Sequence, residues 1–386
     1  MTQYEKIIVS LVGNAIENSP LPENFKNLCD NGILQEVYNL SKSHDITQIV
    51  SAALFNNNII ERDSAIAEKF FQSQILAIYR FQLLDNETTH IYDLLEKNRI
   101  PFIPLKGSVI RYYYPEPWMR TSCDIDILIK PDDVNKVSQF FIDELKYKIS
   151  QKGSHDIAFS SENNVHIELH FTLLEEEKAG YCVLKNIWDK VIPADGCKYR
   201  KEMPFEILYF YHIAHMAKHF LNGGCGFRSF IDLEILENNP KYNKAECDRL
   251  LAGENLLKFA DGARRVNNCC FSGCAITDFE SNMLTYVFGG GVYGNLKNKV
   301  SVQQSKSKNT LGFYLSKIFL PYDSLKYQYP IIKRYKFLTP IYEVLRWFRF
   351  LFIKNTGNTI NEIHINQSIS KKEIAAVKDL IDKLGI

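Results

Sequence analysis

The sequence predicts an α+β fold, a small mixed sheet flanked by N- and C-terminal helical regions, and three observations predict it. Apolar residues recur at three and four spacing over 1–97 and again over 204–288. Between these stretches, short runs alternate apolar and polar side chains, the period of a strand. Gly, Pro and Asp clusters separate the runs. With 386 residues, 46% of them hydrophobic, the chain can bury a large core and is too apolar to be mainly disordered. Four regions follow: a helical N-terminal region at 1–97, a core at 98–200, a helical region at 201–290 that closes a cleft over the core, and a basic, aromatic C-terminal region with a polar tail at 291–386.

Taken in order, Ile7, Ile8, Leu11 and Val12, then Phe70, Phe71, Ile75, Ile78, Phe81 and Leu84, mark helical faces. From Ile100 the pattern becomes a strand at 102–105, a turn at Lys106-Gly107-Ser108, and a short helix at 109–114 that Pro115 and Pro117 end. Residues 123–130 alternate acid and aliphatic as a strand. Pro131 to Asp133 then start a helix whose face is Val134, Val137, Phe140, Phe141 and Leu145. Strands at 156–160 and 165–171 complete the core. In the second, His166, Glu168 and His170 share one face.

Lys and Arg total 46 against 45 Asp and Glu, so the net charge of +1 supplies no global pull on nucleic acid. The balance is local: residues 291–354 hold twelve Lys/Arg against Asp323 and Glu343 alone. Nine cysteines with no CxxC pair, and no charged segment leading into an apolar leader, fit a reduced cytoplasmic compartment. No stretch is long and apolar enough to span a membrane; the nearest, 337–353, contains Glu343, Arg346 and Arg349.

Asp124 and Asp126 lie two apart on a strand, so both project from one face, with backbones roughly 6 to 7 Å apart, and can share a metal ion. Carboxylates are the natural ligands of Mg²⁺, and a third acid permits a two-metal site. Glu168 is that third acid. At Gly107-Ser108 a turn without a Cβ lets backbone N–H groups approach a phosphate, and the Ser108 hydroxyl adds a donor.

These residues carry a resemblance. The run LKGSVIRYYYPEPWMRTSCDIDILI followed by HIELHF is similar to the polymerase-β nucleotidyltransferase superfamily. Together with an HxxHxxxH helix and GGGVYGN, it resembles a large bacterial family of nucleotidyltransferases over about residues 50–300. The resemblance implies that 98–200 is a nucleotidyltransferase catalytic core. It also implies Mg²⁺-dependent transfer, with Mn²⁺ as the alternative ion, of a nucleoside monophosphate from an NTP to an acceptor, releasing pyrophosphate. Gly107 and Ser108 would hold the triphosphate, Asp124 and Asp126 the metals, and Glu168 the second metal or the acceptor. His215, Lys218 and His219 would line the nucleotide cleft. Lys106 departs from the wider superfamily, which often has a second small residue there; its ammonium could itself contact phosphate.

Other residues have two readings. Arg120 could reach a phosphate or pin an aspartate. His212, His215 and His219 have a spacing that could hold zinc, against the leading alternative of packed core histidines. Arg228 and Asp232 are spaced for an ion pair within one helix. His166 and His170 would orient an acid or an acceptor. Gly289 to Gly291 read as a hinge or turn, and Cys269 and Cys270 as buried thiols. The stretch 330–354 suits a peripheral contact with an anionic membrane, RNA phosphates, or docking on the acidic body. Two rival functions stay open, a non-catalytic nucleotide- or partner-binding protein and a phosphotransferase on the same scaffold. The acceptor, base preference and oligomeric state are not fixed by the sequence.

Overall fold

A computed structural model describes residues 1–153, 155–173, 180–292, 294–306, 322, 325, 326, 329, 331–352 and 369–386. The N-terminal region is helical as expected: α1 Gln3–Glu17, α2 Asn31–Ser43, α3 Thr47–Asn56 and α4 Ala65–Lys97. Thr2 and Glu5 form a reciprocal capping box at the start of α1, and Ser64 caps α4. In α4 the buried positions Phe70, Ala77, Leu84 and Ile91 recur every seven residues, two helical turns apart. Phe71 and Ile75, expected on that face, are 50% and 49% exposed. Only one stripe of so long a helix meets the body.

The core contains β1 Phe102–Pro104, α5 Gly107–Ile110, β2 Asp124–Ile129, α6 Val134–Asp143, β3 Lys148–Lys152, β4 Asp156–Ser160 and β5 His166–His170. The sheet order is β1-β2-β5-β4-β3, with β2 and β5 parallel and the other neighbours antiparallel, which is the mixed sheet expected. Ile125, Ile127, Ile129, Ile167 and Leu169 fill one sheet face and pack with Leu84, Ile91, Val137 and Phe141 of α4 and α6. The opposite face is therefore the one that carries the acids. Beyond the sheet come α7 Tyr181–Leu184 and a small hairpin of β6 Ile192–Pro193 and β7 Lys201–Glu202.

Five helices follow: α8 Phe205–Leu221, α9 Gly226–Glu237, α10 Lys244–Gly253, α11 Leu257–Phe271 and α12 Asp278–Gly290. Helix α8 is apolar on nearly every side and buries Tyr209, Phe210 and Phe220 completely, as a central helix must. After α12 the chain crosses the 223–226 turn at close range. A Cβ on Gly226, whose φ is +65°, would lie 2.6 Å from Val292 Cα, and Val292 N–H donates to Ser43 O. Gly291, with φ +66°, ends α12, and Gly226 on the facing turn allows the close approach.

The C-terminal region contributes α13 Leu296–Lys306, α14 Ile331–Arg334, α15 Thr339–Phe352 and α16 Lys371–Leu384. Leu380, Ile381 and Leu384 of α16 join the same buried cluster as α1 and α8. On α15, Ile341, Val344 and Leu345 are 54%, 55% and 46% exposed. The polar tail around 355–366 lies outside the described residues. All nine cysteines are free thiols, with Cys269 buried and Cys270 partly so. Among the described residues, no helix is long and apolar enough to cross a membrane.

Candidate active site

The parallel pairing of β2 with β5 builds the site. Asp124 is in register with His166, Asp126 with Glu168 and Leu128 with His170, so period-two alternation brings both acid sets to one sheet face. His170 reaches back along the strand: its Nε2–H donates to Asp126 Oδ1 at 2.7 Å and stands 3.2 Å from Glu168 Oε2. Ligand atoms of Asp126, Glu168 and His170 lie within 4.8 Å of one another. His166 Nε2 stands 3.5 Å from Glu168 Oε1. The sequence marked His170 only as a flanking group; its role as the link between two carboxylates depends on interstrand register.

Lys106 comes from the turn after β1, which Leu105 N–H ties to β2 by donating to Asp126 O at 3.0 Å. Its Nζ donates to Asp126 Oδ1 at 2.7 Å and lies 3.8 Å from Glu168 Oε2. The Lys106 backbone has φ 46° and ψ −122°, a conformation that favours glycine. Such strain costs of order 1–3 kcal/mol and persists only where the surroundings enforce it.

Electrostatics divide the acids. Burial opposes charge on Asp126, yet Lys106 and His170 hold its carboxyl well below the usual range. Glu168 is lowered by the His170 hydrogen bond. Burial would lower His170, but its bonds to Asp126 and Glu168 raise it, and Lys106 is likewise raised by Asp126 despite its burial. Asp124 moves the other way, raised by burial and then by the charge on Asp126. Its carboxylate accepts no hydrogen bond within the described residues.

These groups open into a cleft of about 340 Å³ between the sheet and α8–α9. Lys106, Gly107, Arg120, His215, Lys218 and His219, all expected at the nucleotide, line it with the three acids. Ser108 does not. It lines a separate cavity of about 510 Å³ with Tyr92, Tyr112 and Arg200, and its buried hydroxyl has no hydrogen-bond partner among the described residues. Successive helical residues point about 100° apart, so a turn that aims Gly107 at the cleft turns Ser108 away. Gly107 is needed for another reason: a Cβ there would stand 2.5 Å from Arg120 Nη1.

Arg120 pins an aspartate. Its Nε and Nη2 donate to Asp232 Oδ1 and Oδ2 at 3.2 and 2.9 Å, and Tyr114 OH donates to the same carboxylate at 2.7 Å. The expected Arg228–Asp232 pair within α9 is thus replaced by long-range pairs: Arg228 binds Asp45, which also accepts from Thr121. Asp232 is buried and needed by Arg120, so helical spacing did not decide its partner.

The three histidines of α8 do not converge as a zinc site. His212 Nε2–H donates to Ser229 O at 3.1 Å, while His215 and His219 meet Nε2 to Nε2 at 3.0 Å. Burial lowers both of the latter, His219 to about 4, so both are neutral at physiological pH.

The donors fit a hard divalent cation. Asp124, a half-buried carboxylate with no donor among the described residues, faces the same cleft as Asp126 and Glu168, oxygen ligands of the type Mg²⁺ takes, and stands outside the group of Asp126, Glu168 and His170 whose ligand atoms lie within 4.8 Å of one another. A family model described as an uncharacterised nucleotidyltransferase matches residues 33–271, more than half of the chain. No curated protein and no solved structure matches the chain.

Proposed function

The chain belongs to this nucleotidyltransferase family, and from that premise we propose that it transfers a nucleoside monophosphate from an NTP to an acceptor, releasing pyrophosphate, with Mg²⁺ or Mn²⁺ at the acid cleft. The convergence of Asp126, Glu168 and His170 in a cleft whose other wall carries Arg120, Arg228 and α8 supports this reading above any other observation. Asp124 and Asp126 would hold the ion, which when bound offsets negative charge on the triphosphate, with Glu168 at a second ion or at the acceptor. In-line displacement at phosphorus depends on positioning and charge neutralisation, which the acids and cations lining the cleft supply.

The chain's own groups have distinct tasks in this reading. Lys106, always cationic, keeps Asp126 ionised and stands within reach of Glu168. His170 orients both carboxylates. Glu168, 25% exposed at the cleft, is kept ionised by the His170 hydrogen bond and would bind or orient the acceptor. Arg120 is fixed by Asp232 at the cleft wall, where its guanidinium adds positive potential for a triphosphate.

The test is to supply NTP labelled at the α- or γ-phosphate, with Mg²⁺ and a cell extract as the source of acceptor. Label from the α position in an acceptor, with pyrophosphate released, supports the proposal. Label from the γ position assigns phosphoryl transfer. Product formation equal in wild type and in the Asp124→Asn/Asp126→Asn variant removes the acid cleft from the reaction.

A further inference from the structure

Two observations at the acid cleft go beyond the proposed reaction, though they rest on that reading of the site. The first is that both ordered contacts of Asp126 fall on one oxygen: Lys106 and His170 each reach Oδ1 at 2.7 Å. The same two residues also face Glu168 Oε2, at 3.8 and 3.2 Å. The edge between Asp126 and Glu168, where a second metal would bridge two carboxylates, is therefore spanned by an ammonium and an imidazole. The second observation is the Lys106 backbone. A lysine is held at φ 46° and ψ −122°, and the local hydrogen bonds keep it there: Leu105 N–H to Asp126 O, and Val109 and Ile110 N–H to Lys106 O. A glycine would relieve the conformation, so the strain goes with the presence of the side chain.

Charge counting points the same way. Three carboxylates, Asp124, Asp126 and Glu168, face the one Lys106 ammonium, so the cluster keeps a net negative charge that a single divalent ion offsets. Asp124 is the acid without a donor among the described residues, and the ion belongs on its side of the cluster.

We propose that the Lys106 ammonium takes the place of one metal ion, so that the cleft binds a single divalent cation, held by Asp124 and Asp126, where two-metal phosphoryl-transfer sites bind two. The lysine is a fixed counter-charge between Asp126 and Glu168, positioned before any nucleotide arrives.

The test counts ions directly. Mn²⁺ is titrated into the full chain without nucleotide, and free Mn²⁺ is read by electron paramagnetic resonance. Wild type takes one tight ion per chain. Lys106→Gly, which removes the ammonium and relaxes the backbone, takes two, and Lys106→Arg, which keeps a cation, takes one. Circular dichroism and thermal melting show that each variant is folded; if Lys106→Gly were not, Lys106→Met provides the same count with a side chain of similar length. Two tight ions in wild type, or one in both Lys106→Gly and Lys106→Met, overturns the inference and leaves nucleotidyl transfer standing. No tight ion in wild type overturns the inference too; whether the parent reading falls with it is decided separately by transfer of the α-phosphate label.

Discussion

Replacing Asp126 by Asn keeps the shape of the side chain and removes the charge on which Lys106 and His170 both depend. Each of those contacts is a charge-assisted hydrogen bond at 2.7 Å, of a kind that contributes about 1.5–3 kcal/mol. Two compensations reduce the loss: Glu168 stays near both donors, and an uncharged amide is cheaper to bury than a carboxylate. The net cost should be about 3 kcal/mol, at the low end for breaking a buried ion pair. The pH dependence identifies the cause. Asp126 has a depressed pKa, so its stabilisation is present above its ordinary value of 3.8 and is lost as pH falls from there toward the depressed value. His170 has a raised pKa, so its share is full below its ordinary value of 6.5 and is lost as pH rises through the raised one. The gap between wild type and Asp126→Asn should therefore be widest between about pH 4 and 6.5 and narrow on both sides. Urea unfolding followed by tryptophan fluorescence at a series of pH values measures it. A gap under about 1 kcal/mol, or one flat from pH 3 to 9, would refute the assigned network.

The remaining predictions use the same geometry. Asp124→Asn should leave the fold intact and raise the thermal midpoint at neutral pH, because a carboxyl with a raised pKa destabilises the folded state when ionised; the same variant should lose several kcal/mol of transition-state stabilisation, and a lower midpoint with full turnover would contradict the assignment. Asp232→Ala leaves the buried Arg120 unpaired and should cost roughly 3–5 kcal/mol in chemical denaturation, whereas Asp232→Asn should cost less; equal, small losses would show that Arg120 is not held there. Gly107→Ala places a methyl 2.5 Å from Arg120 Nη1 and should both weaken NTP binding and lower the melting temperature, because the guanidinium can give way only by straining its pair with buried Asp232. Unchanged NTP affinity would separate Arg120 from the nucleotide.

Much of this site was legible because strand alternation survives in a single sequence. Asp124 and Asp126 against Ile125 and Ile127, and His166, Glu168 and His170 against Ile167 and Leu169, mark one polar and one apolar sheet face, and the structure puts them there. Strand β3 carried no such mark: every residue from Lys148 to Lys152 is exposed, so no burial pattern distinguishes it from a loop. Ion pairs were illegible for a different reason. Local spacing favoured Arg228 with Asp232, but Arg120 and Asp45 come from distant segments, and the buried network settled on those pairs. Ser108 shows the limit of motif reading, since one residue of helical rotation moved its hydroxyl from the acid cleft to the neighbouring cavity. The backbone strain at Lys106 and the bridging role of His170 depend on turn geometry and register, which spacing along the chain does not contain.

The measurement that bears most directly on the central claim is calorimetric titration of NTP with and without Mg²⁺, using wild type and the Asp124→Asn/Asp126→Asn double variant side by side. The account predicts one nucleotide per wild-type chain, bound only with the metal, and no binding by the folded double variant. Binding that is independent of Mg²⁺ and unchanged in the double variant would contradict it.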